Sequence, residues 1–241
     1  MVYAGFQTAG RGQAGNRWES EANKNLLCSI LLPPRKNLFE MNIVVSVAVM
    51  RTIIGVSGLV DERMSGVEES GVEDFSIKWP NDIYWRDKKV AGILIENAIM
   101  GNEVKYSIAG IGLNINQIEW FSNAPNPISL KQIFGVDLDV DVVADRLLKE
   151  VKSAVNEDLW AYYKAHLYRR EGFWPFMERE VSIEPTMNVQ KEEIQSTKDK
   201  GQGTNVFMAR IEDILPTGEM VLEDQEGKKR AYHFKQVRYV L

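Results

Sequence analysis

Four short segments hold the residues that could do chemistry. They are Gly10-Arg11-Gly12-Gln13-Ala14-Gly15-Asn16-Arg17-Trp18, Lys78-Trp79-Pro80-Asn81-Asp82, Lys88-Lys89-Val90-Ala91-Gly92-Ile93-Leu94 and Gly110-Ile111-Gly112-Leu113-Asn114-Ile115-Asn116. The first is a glycine-rich loop whose backbone can close over an anion, with Arg11 and Arg17 supplying charge. In the second, a proline stops strand pairing and leaves Asn81 and Asp82 at a tip. There Asp82 can help place Mg²⁺ beside phosphate oxygens, and Asn81 can hydrogen-bond a nucleotide. The third sets Lys89 at the start of an apolar strand containing Gly92. The fourth thins a neighbouring strand with Gly110 and Gly112. Glycines weaken strands, so two neighbouring strands that carry them point to a slot where a ligand approaches the backbone.

Each segment alone also has a plain reading: a surface loop, an Asn-Asp turn, a solvated hairpin lysine. Gly10-x-Gly12-x-x-Gly15 matches a dinucleotide-binding fingerprint as well, but that fingerprint needs a helix opening at the glycines. Here Asn16-Arg17-Trp18-Glu19-Ser20 and another strand follow, and the dinucleotide reading is rejected.

Composition narrows the chemistry. Two histidines, His166 and His233, and one cysteine, Cys28, make a Cys/His zinc site improbable and allow no intrachain disulfide. Catalysis should then rest on Lys, Arg, Asp and backbone amides, a set suited to stabilising phosphate charge. The net charge of −5 lacks the basic excess of nucleic-acid binders. No apolar run approaches the roughly 18 residues of a membrane span, and no secretory signal is visible. With a lone cysteine, a reducing cytoplasm is the expected compartment.

The elements that must position these residues read as α+β. Val2 to Phe6 alternates like a strand, and Asn25 to Leu32 is a buried strand stopped by Pro33-Pro34. Apolar residues from Met41 to Ile53 recur at helical spacing, predicting a core helix over Leu38–Gly55. Asp61–Asp74, with six acidic residues, reads as a solvated loop. Strands are expected at Phe75–Lys78, Asp82–Trp85, Val90–Ala98 and Val104–Ile115, the last two joined by a Gly101-Asn102 hairpin. A short helix over Leu130–Phe134 and a long amphipathic helix over about Asp141–Leu167 follow. The tail reads as short strands at Glu180–Glu184, Val206–Ile214, Met220–Glu223, Arg230–Phe234 and Val237–Val240, interrupted by a polar insertion over Asn188–Asn205. Together they suggest a small β-barrel. Two domains are therefore expected: 1–175, with a mostly antiparallel central sheet and packed helices, and 176–241, the barrel.

Taken together and in this order, the four segments resemble the catalytic domain of biotin–protein ligases. These enzymes join biotin to a carrier-protein lysine through biotinyl-5′-AMP. The resemblance implies an ATP-dependent ligase of the biotin–[acetyl-CoA-carboxylase] type, using biotin, ATP and Mg²⁺ and acting on a biotin carboxyl carrier domain. It implies that Gln7, Arg11, Gly12 and Gln13 line the biotin and phosphate side and that Trp18 packs against the adenylate. Lys89 would neutralise biotin's carboxylate and then the adenylate phosphate. Gly92, Leu94 and Gly110 would frame biotin, while Asn81, Gly112 and Asn114 would meet the nucleotide. Lys89, Arg11 and Asp82 are the implied catalytic residues, Asp82 through the metal.

The sequence departs from the family at Gln13 and near Asn16, where basic residues are more usual. It also begins nine residues before Gly10, without the family's preceding strand, helix and Ser-Thr pair. Neither DNA binding nor membrane binding is expected. An unpaired edge near Val2–Phe6 is expected to favour self-association, a homodimer included. Two alternatives stay open: a catalytically defective biotin- or adenylate-binding module, and an enzyme like the lipoate ligases and octanoyl transferases, which share the fold without these two motifs.

Overall fold

The computed structural model describes residues 1–13, 17–58, 73–101, 103–121, 126–179 and 206–240. They fall into two compact units, 1–170 and 171–241. The first is built on a six-stranded antiparallel sheet: β1 (Val2–Ala4), β2 (Leu26–Leu32), β3 (Phe75–Lys78), β4 (Asp82–Trp85), β5 (Lys88–Met100) and β6 (Glu103–Leu113). Across the sheet the order is β1-β2-β6-β5-β4-β3. The backbone is α+β, as the sequence predicts.

The long β5–β6 hairpin is the spine of this sheet. Gly101 takes φ +62° at its tip, a left-handed conformation that favours glycine; its predicted partner Asn102 lies outside the described residues. The register places Gly92 opposite Gly112 and Leu94 opposite Gly110. Partners share a face, so both pairs lie on one side of the sheet together with Leu27 and Ser29 of β2. The other side carries Leu26, Cys28, Ile30, Ile93, Ile111 and Leu113, all buried.

That buried side is covered by α1 (Phe39–Ser57), a nineteen-residue helix packed on β3 to β5 and against the later helices. Among the described residues it is the one helix long and apolar enough to cross a membrane, yet 67% of that stretch is buried inside the fold. Polar Asn42, Ser46 and Arg51 interrupt its apolar run. Beyond β6 comes α2 (Leu130–Phe134), started by a capping box between Ser129 and Gln132 and ended by Gly135 at φ +78°.

One expectation needs correction. The single helix over 141–167 is two helices, α3 (Val140–Ala154) and α4 (Trp160–Ala165). The every-fourth-residue pattern runs across the break, because Leu159 and Tyr163 are buried like Val143 and Leu147. The new helix opens at Leu159, whose carbonyl accepts the Tyr163 N–H at 2.8 Å, with no side-chain cap; the Asp158 carboxylate just before it accepts the Trp160 N–H at 3.2 Å.

The tail consists of short strands, as the sequence predicts. β7 (Trp174–Glu178), β8 (Val206–Ile214), β9 (Met220–Asp224), β10 (Lys229–Tyr232) and β11 (Val237–Tyr239) form an antiparallel sheet ordered β10-β9-β8-β7-β11. Among the described residues β10 and β11 are its two edges and no closed barrel is formed. The expected strand at Glu180–Glu184, the insertion over Asn188–Asn205, and all of the acidic loop but Glu73 and Asp74 lie outside the described residues.

A buried polar knot fixes the sheet's registration at the end of β6. Asn25 is 1% exposed; its Oδ1 accepts the Ile115 N–H at 2.9 Å, and its amide donates to Gln117 Oε1 at 2.6 Å and to Ser20 Oγ at 3.1 Å. Replacing Asn25 by Ala strands the Ile115 N–H in a dry interior, and an unpaired buried group costs about 1–3 kcal/mol. Urea denaturation of Asn25→Ala should show a stability loss of about 2 kcal/mol or more; an unchanged midpoint would mean the knot contributes nothing.

Candidate active site

The exposed side of the hairpin is where the predicted residues gather. The indole of Trp18 lies against the Gly92/Gly112 pair. A Cβ at Gly92 would sit 2.7 Å from Cζ3 of Trp18, and one at Gly112 would sit 2.3 Å from Cε2. No side chain fits at either position without moving the ring. The glycines thin the sheet as the sequence predicts, but in this structure the space they open is occupied by the protein's own tryptophan. The indole N–H is buried and has no hydrogen-bond partner among the described residues. Next along the hairpin, Gly110 faces Leu94, whose carbonyl oxygen would be 3.6 Å from an added Cβ.

Trp18 is carried by the glycine-rich loop, which doubles back on itself: the Trp18 N–H donates to the Gly10 carbonyl at 3.0 Å, and Arg11 bridges to Arg17. Among the described residues of the loop no α-helix opens at Gly10 or Gly12, although Gln13 begins a 3₁₀ turn; Ala14, Gly15 and Asn16 lie outside them. Gln13 reaches into the site and donates to Asn81 Oδ1 and to the Ile93 carbonyl, both at 3.2 Å. Gln7 stays at the outer end of the loop, its Oε1 3.2 Å from the place a Cβ on Gly10 would take.

Lys89 and Asp82 form the charged centre. Lys89 Nζ is 2.6 Å from Asp82 Oδ2, with side chains 30% and 28% exposed, and 5.8 Å from the Trp18 ring centroid. The turn from β3 to β4 that presents Asn81 and Asp82 is braced by the Tyr163 hydroxyl, which donates to the Pro80 carbonyl at 2.7 Å. Lys89 is fixed by its backbone, whose N–H donates to Asn126 O and whose carbonyl accepts from Ile128 N. The Asn114 amide donates to the Lys89 and Ile128 carbonyls, leaving its Oδ1 buried without a partner among the described residues. Such an orphaned acceptor suits a ligand N–H.

Lys78 adds a second ammonium beside this pair, facing Asp82 across the β3–β4 ladder. It donates to Tyr84 Oη at 3.0 Å and lies over that ring, 4.5 Å from its centroid. Burial pulls its pKa down to about 8, and Lys89 pushes the same way against the attraction of Asp82.

Arg11 stands apart from this cluster. Its guanidinium pairs with Glu96 at 3.2 Å, further along β5, with side chains 72% and 49% exposed. The structure therefore gathers Gln13, Trp18, Asn81, Asp82, Lys89, Gly92, Gly112 and Asn114 and leaves Gln7, Arg11 and Gly12 on the loop's outer part. Cys28 takes no part: it is buried in the sheet core, and burial pushes its thiol up to about 12.

The comparisons with known proteins point the same way. A family model described as the biotin/lipoate A/B protein ligase family matches residues 1–114, the span that holds the motifs. Those residues belong to that family. The chain is 27% identical over 188 residues to the bifunctional ligase/repressor BirA of Escherichia coli, covering 77% of this chain and 51% of that protein. It is 31% identical over 180 residues to the human biotin–protein ligase, covering 68% and 23%. The chain thus spans about half to under two thirds of the length of the bacterial relatives it matches. In fold it is similar to a biotin protein ligase from Aquifex aeolicus solved with biotin and ATP, at TM-score 0.68 and 22% identity, covering 99% of this chain and 88% of that one.

Sequence reasoning missed Asn42, which accepts the Asn81 amide at 2.7 Å, and Glu96. Asn42 had a signal: a lone amide between Met41 and Ile43 in an apolar helix. Glu96 had none, since strand charges are common. The seat of Trp18 can be tested directly. Gly112→Ala should displace the indole, leave far-ultraviolet circular dichroism unchanged and shift the emission maximum. Adding the same substitution to Trp18→Phe should shift nothing; an equal shift there would place the affected tryptophan elsewhere.

Proposed function

We propose that the chain is an ATP-dependent biotin–protein ligase. The observation that carries this reading is the Lys89 ammonium, held by Asp82 beside Trp18 on the glycine floor, within a family-matched segment. In the first step biotin's carboxylate oxygen attacks the α-phosphorus of Mg-ATP; a P–O bond forms, pyrophosphate leaves, and biotinyl-5′-AMP remains. In the second, the amine of a lysine on a biotin carboxyl carrier domain attacks the mixed anhydride's carbonyl carbon, the amide forms, and AMP leaves with the electron pair. No enzyme nucleophile is needed, which suits a site without Cys, Ser–His or Cys–His pairs.

Lys89 offsets the negative charge where carboxylate and phosphate crowd together, an effect strongest where water is excluded. Arg11 exchanges Glu96 for the phosphate when the loop closes, a charge-assisted contact. Asn81 contacts the nucleotide, and the orphaned Asn114 Oδ1 accepts an N–H of adenine. Leu94 and Gly110 bound the biotin rings, with Gln7, Gly12 and Gln13 on the loop side. Among the described residues no group of three or more His, Cys, Asp or Glu is placed to hold a metal. Asp82 alone suits Mg²⁺, which commonly binds through one or two carboxylates plus substrate phosphates and water. The ion would then arrive with ATP. We assign both steps to the domain spanning 1–175 and place the enzyme in the cytoplasm.

The matched family also covers lipoate enzymes; the Gly-Arg-Gly loop followed by Lys-Trp-Pro-Asn-Asp favours biotin. A single-turnover reaction with biotin and Mg-ATP should yield biotinyl-5′-AMP and pyrophosphate. Lys89→Ala, which opens no core cavity, should slow that step about 100- to 1,000-fold. No adenylate from the wild-type chain would reduce it to a binding module, and near-normal pyrophosphate release by folded Lys89→Ala would remove the lysine from the chemistry.

A further inference from the structure

We propose that Lys78 is a further catalytic residue: its ammonium holds the β- and γ-phosphates of ATP and offsets the charge of the departing pyrophosphate. The inference rests on the ligase reading above and deepens it by assigning the leaving-group side of the site. Its binding part, an affinity of this corner for pyrophosphate, is measurable without any reaction.

Register puts Lys78 on the same face as Lys89. β3 pairs Lys78 with Asp82, and β4 pairs Tyr84 with Lys89. Ladder partners share a face, as do residues two apart in a strand, so all four side chains lie on one side of the sheet. That side is the glycine floor, because Lys89 Nζ comes 3.2 Å from the place a Cβ on Gly92 would take. The opposite side of β3 and β4 carries Ile77 and Ile83, both fully buried. Asp82 is therefore flanked by two ammoniums, Lys89 at 2.6 Å and Lys78 across the ladder. Aromatic rings seat the Lys78 head: Nζ donates to Tyr84 Oη at 3.0 Å and lies 4.5 Å from the Tyr84 ring centroid and 5.7 Å from that of Tyr168. The Tyr168 hydroxyl donates in turn to Asp87, whose carboxylate also pairs with Arg169 at 3.5 Å.

The charges around this seat suit a polyanion. Burial disfavours the Lys78 ammonium, Asp82 and Asp87 favour it, and Lys89 and Arg169 oppose it. The cations Lys78, Lys89 and Arg169 thus outnumber those two carboxylates, and Lys89 already occupies Asp82. A half-buried ammonium in such surroundings gains more from an arriving anion than a solvated lysine does, because water screens it less. Direction follows from the chemistry. Attacking and leaving oxygens at phosphorus lie roughly in line. Biotin's carboxylate reaches Lys89 from the side of Leu94 and its partner Gly110, so pyrophosphate departs on the other side, over Tyr84 and Lys78. The bond from biotin's oxygen to the α-phosphorus forms as the bond from that phosphorus to the bridging oxygen breaks, and the electron pair goes to pyrophosphate. Lys78 keeps its proton throughout and lends charge and hydrogen bonds. Once pyrophosphate has gone, the adenylate phosphate stays with Lys89, and transfer to the carrier makes no use of Lys78.

The test separates the two half-reactions in Lys78→Met, which keeps an apolar stem on the tyrosines and removes the charge; Lys78→Gln carries the comparison if Lys78→Met does not fold. Formation of biotinyl-5′-AMP from biotin and Mg-ATP in a single turnover should be about 100-fold slower than in wild type. Transfer from supplied biotinyl-5′-AMP to a biotin carboxyl carrier domain should stay within about twofold of the wild-type rate. In calorimetry with Mg-pyrophosphate alone, the variant should bind about 10-fold more weakly than wild type. Equal slowing of both half-reactions would make Lys78 a support of the fold and overturn the proposal. Unchanged adenylate formation, or pyrophosphate bound no better by wild type than by the variant, also overturns it. Failure of the wild-type chain to form any adenylate would count against the ligase reading and leave the pyrophosphate comparison to decide the role of Lys78.

Discussion

The contact on which the rest of the site depends is the one between the Trp18 indole and bare backbone at Gly92 and Gly112. Two glycines directly opposite each other in an antiparallel pair create a flat, side-chain-free surface on one face of a sheet. An aromatic ring can then lie against the strands, with no Cβ holding it off. That seat draws in the glycine-rich loop and brings Gln13 to Asn81. It also closes one side of the space around Lys89 and Asp82. A methyl group at either glycine would lift the ring and with it the loop, so the glycines cost the strands some stability and are retained for what they let approach.

The electrostatics follow from the same geometry. Lys89 sits partly buried over the ring and pairs with Asp82, and Lys78 faces Asp82 with its charge disfavoured by burial. The cluster is thus rich in cation, well placed to receive a carboxylate and a phosphate together. The groups that would support covalent enzyme catalysis are elsewhere: Cys28 is sealed in the core, and His166 lies at the end of α4, its ring stacked on Tyr162. Charge stabilisation and positioning are what remain.

Much of this was legible in the sequence, for identifiable reasons. Gly101 and the apolar alternation around it specify the β5–β6 hairpin, and once that hairpin is in register Gly92 must face Gly112. The Pro80 stop predicts the tip that presents Asn81 and Asp82. Other features turned on contacts between distant residues. The break between α3 and α4 is hidden because the apolar spacing continues through it. The occupant of the glycine slot and the parking of Arg11 on Glu96 are tertiary facts that no spacing encodes. Asn42 lies between these cases, since an amide in an apolar helix signals a partner without naming it.

The central claim is that this glycine-floored face, with Lys89 at its centre and the loop above it, is where an acyl-adenylate is made and held. A crystal structure with biotinyl-5′-AMP tests it most directly. The account predicts the phosphate within hydrogen-bonding distance of Lys89 Nζ, adenine at Asn114, and Arg11 moved from Glu96 to the phosphate. An adenylate bound away from Gly92 and Gly112, or one bound there with Arg11 still on Glu96 and Lys89 turned away, would contradict it.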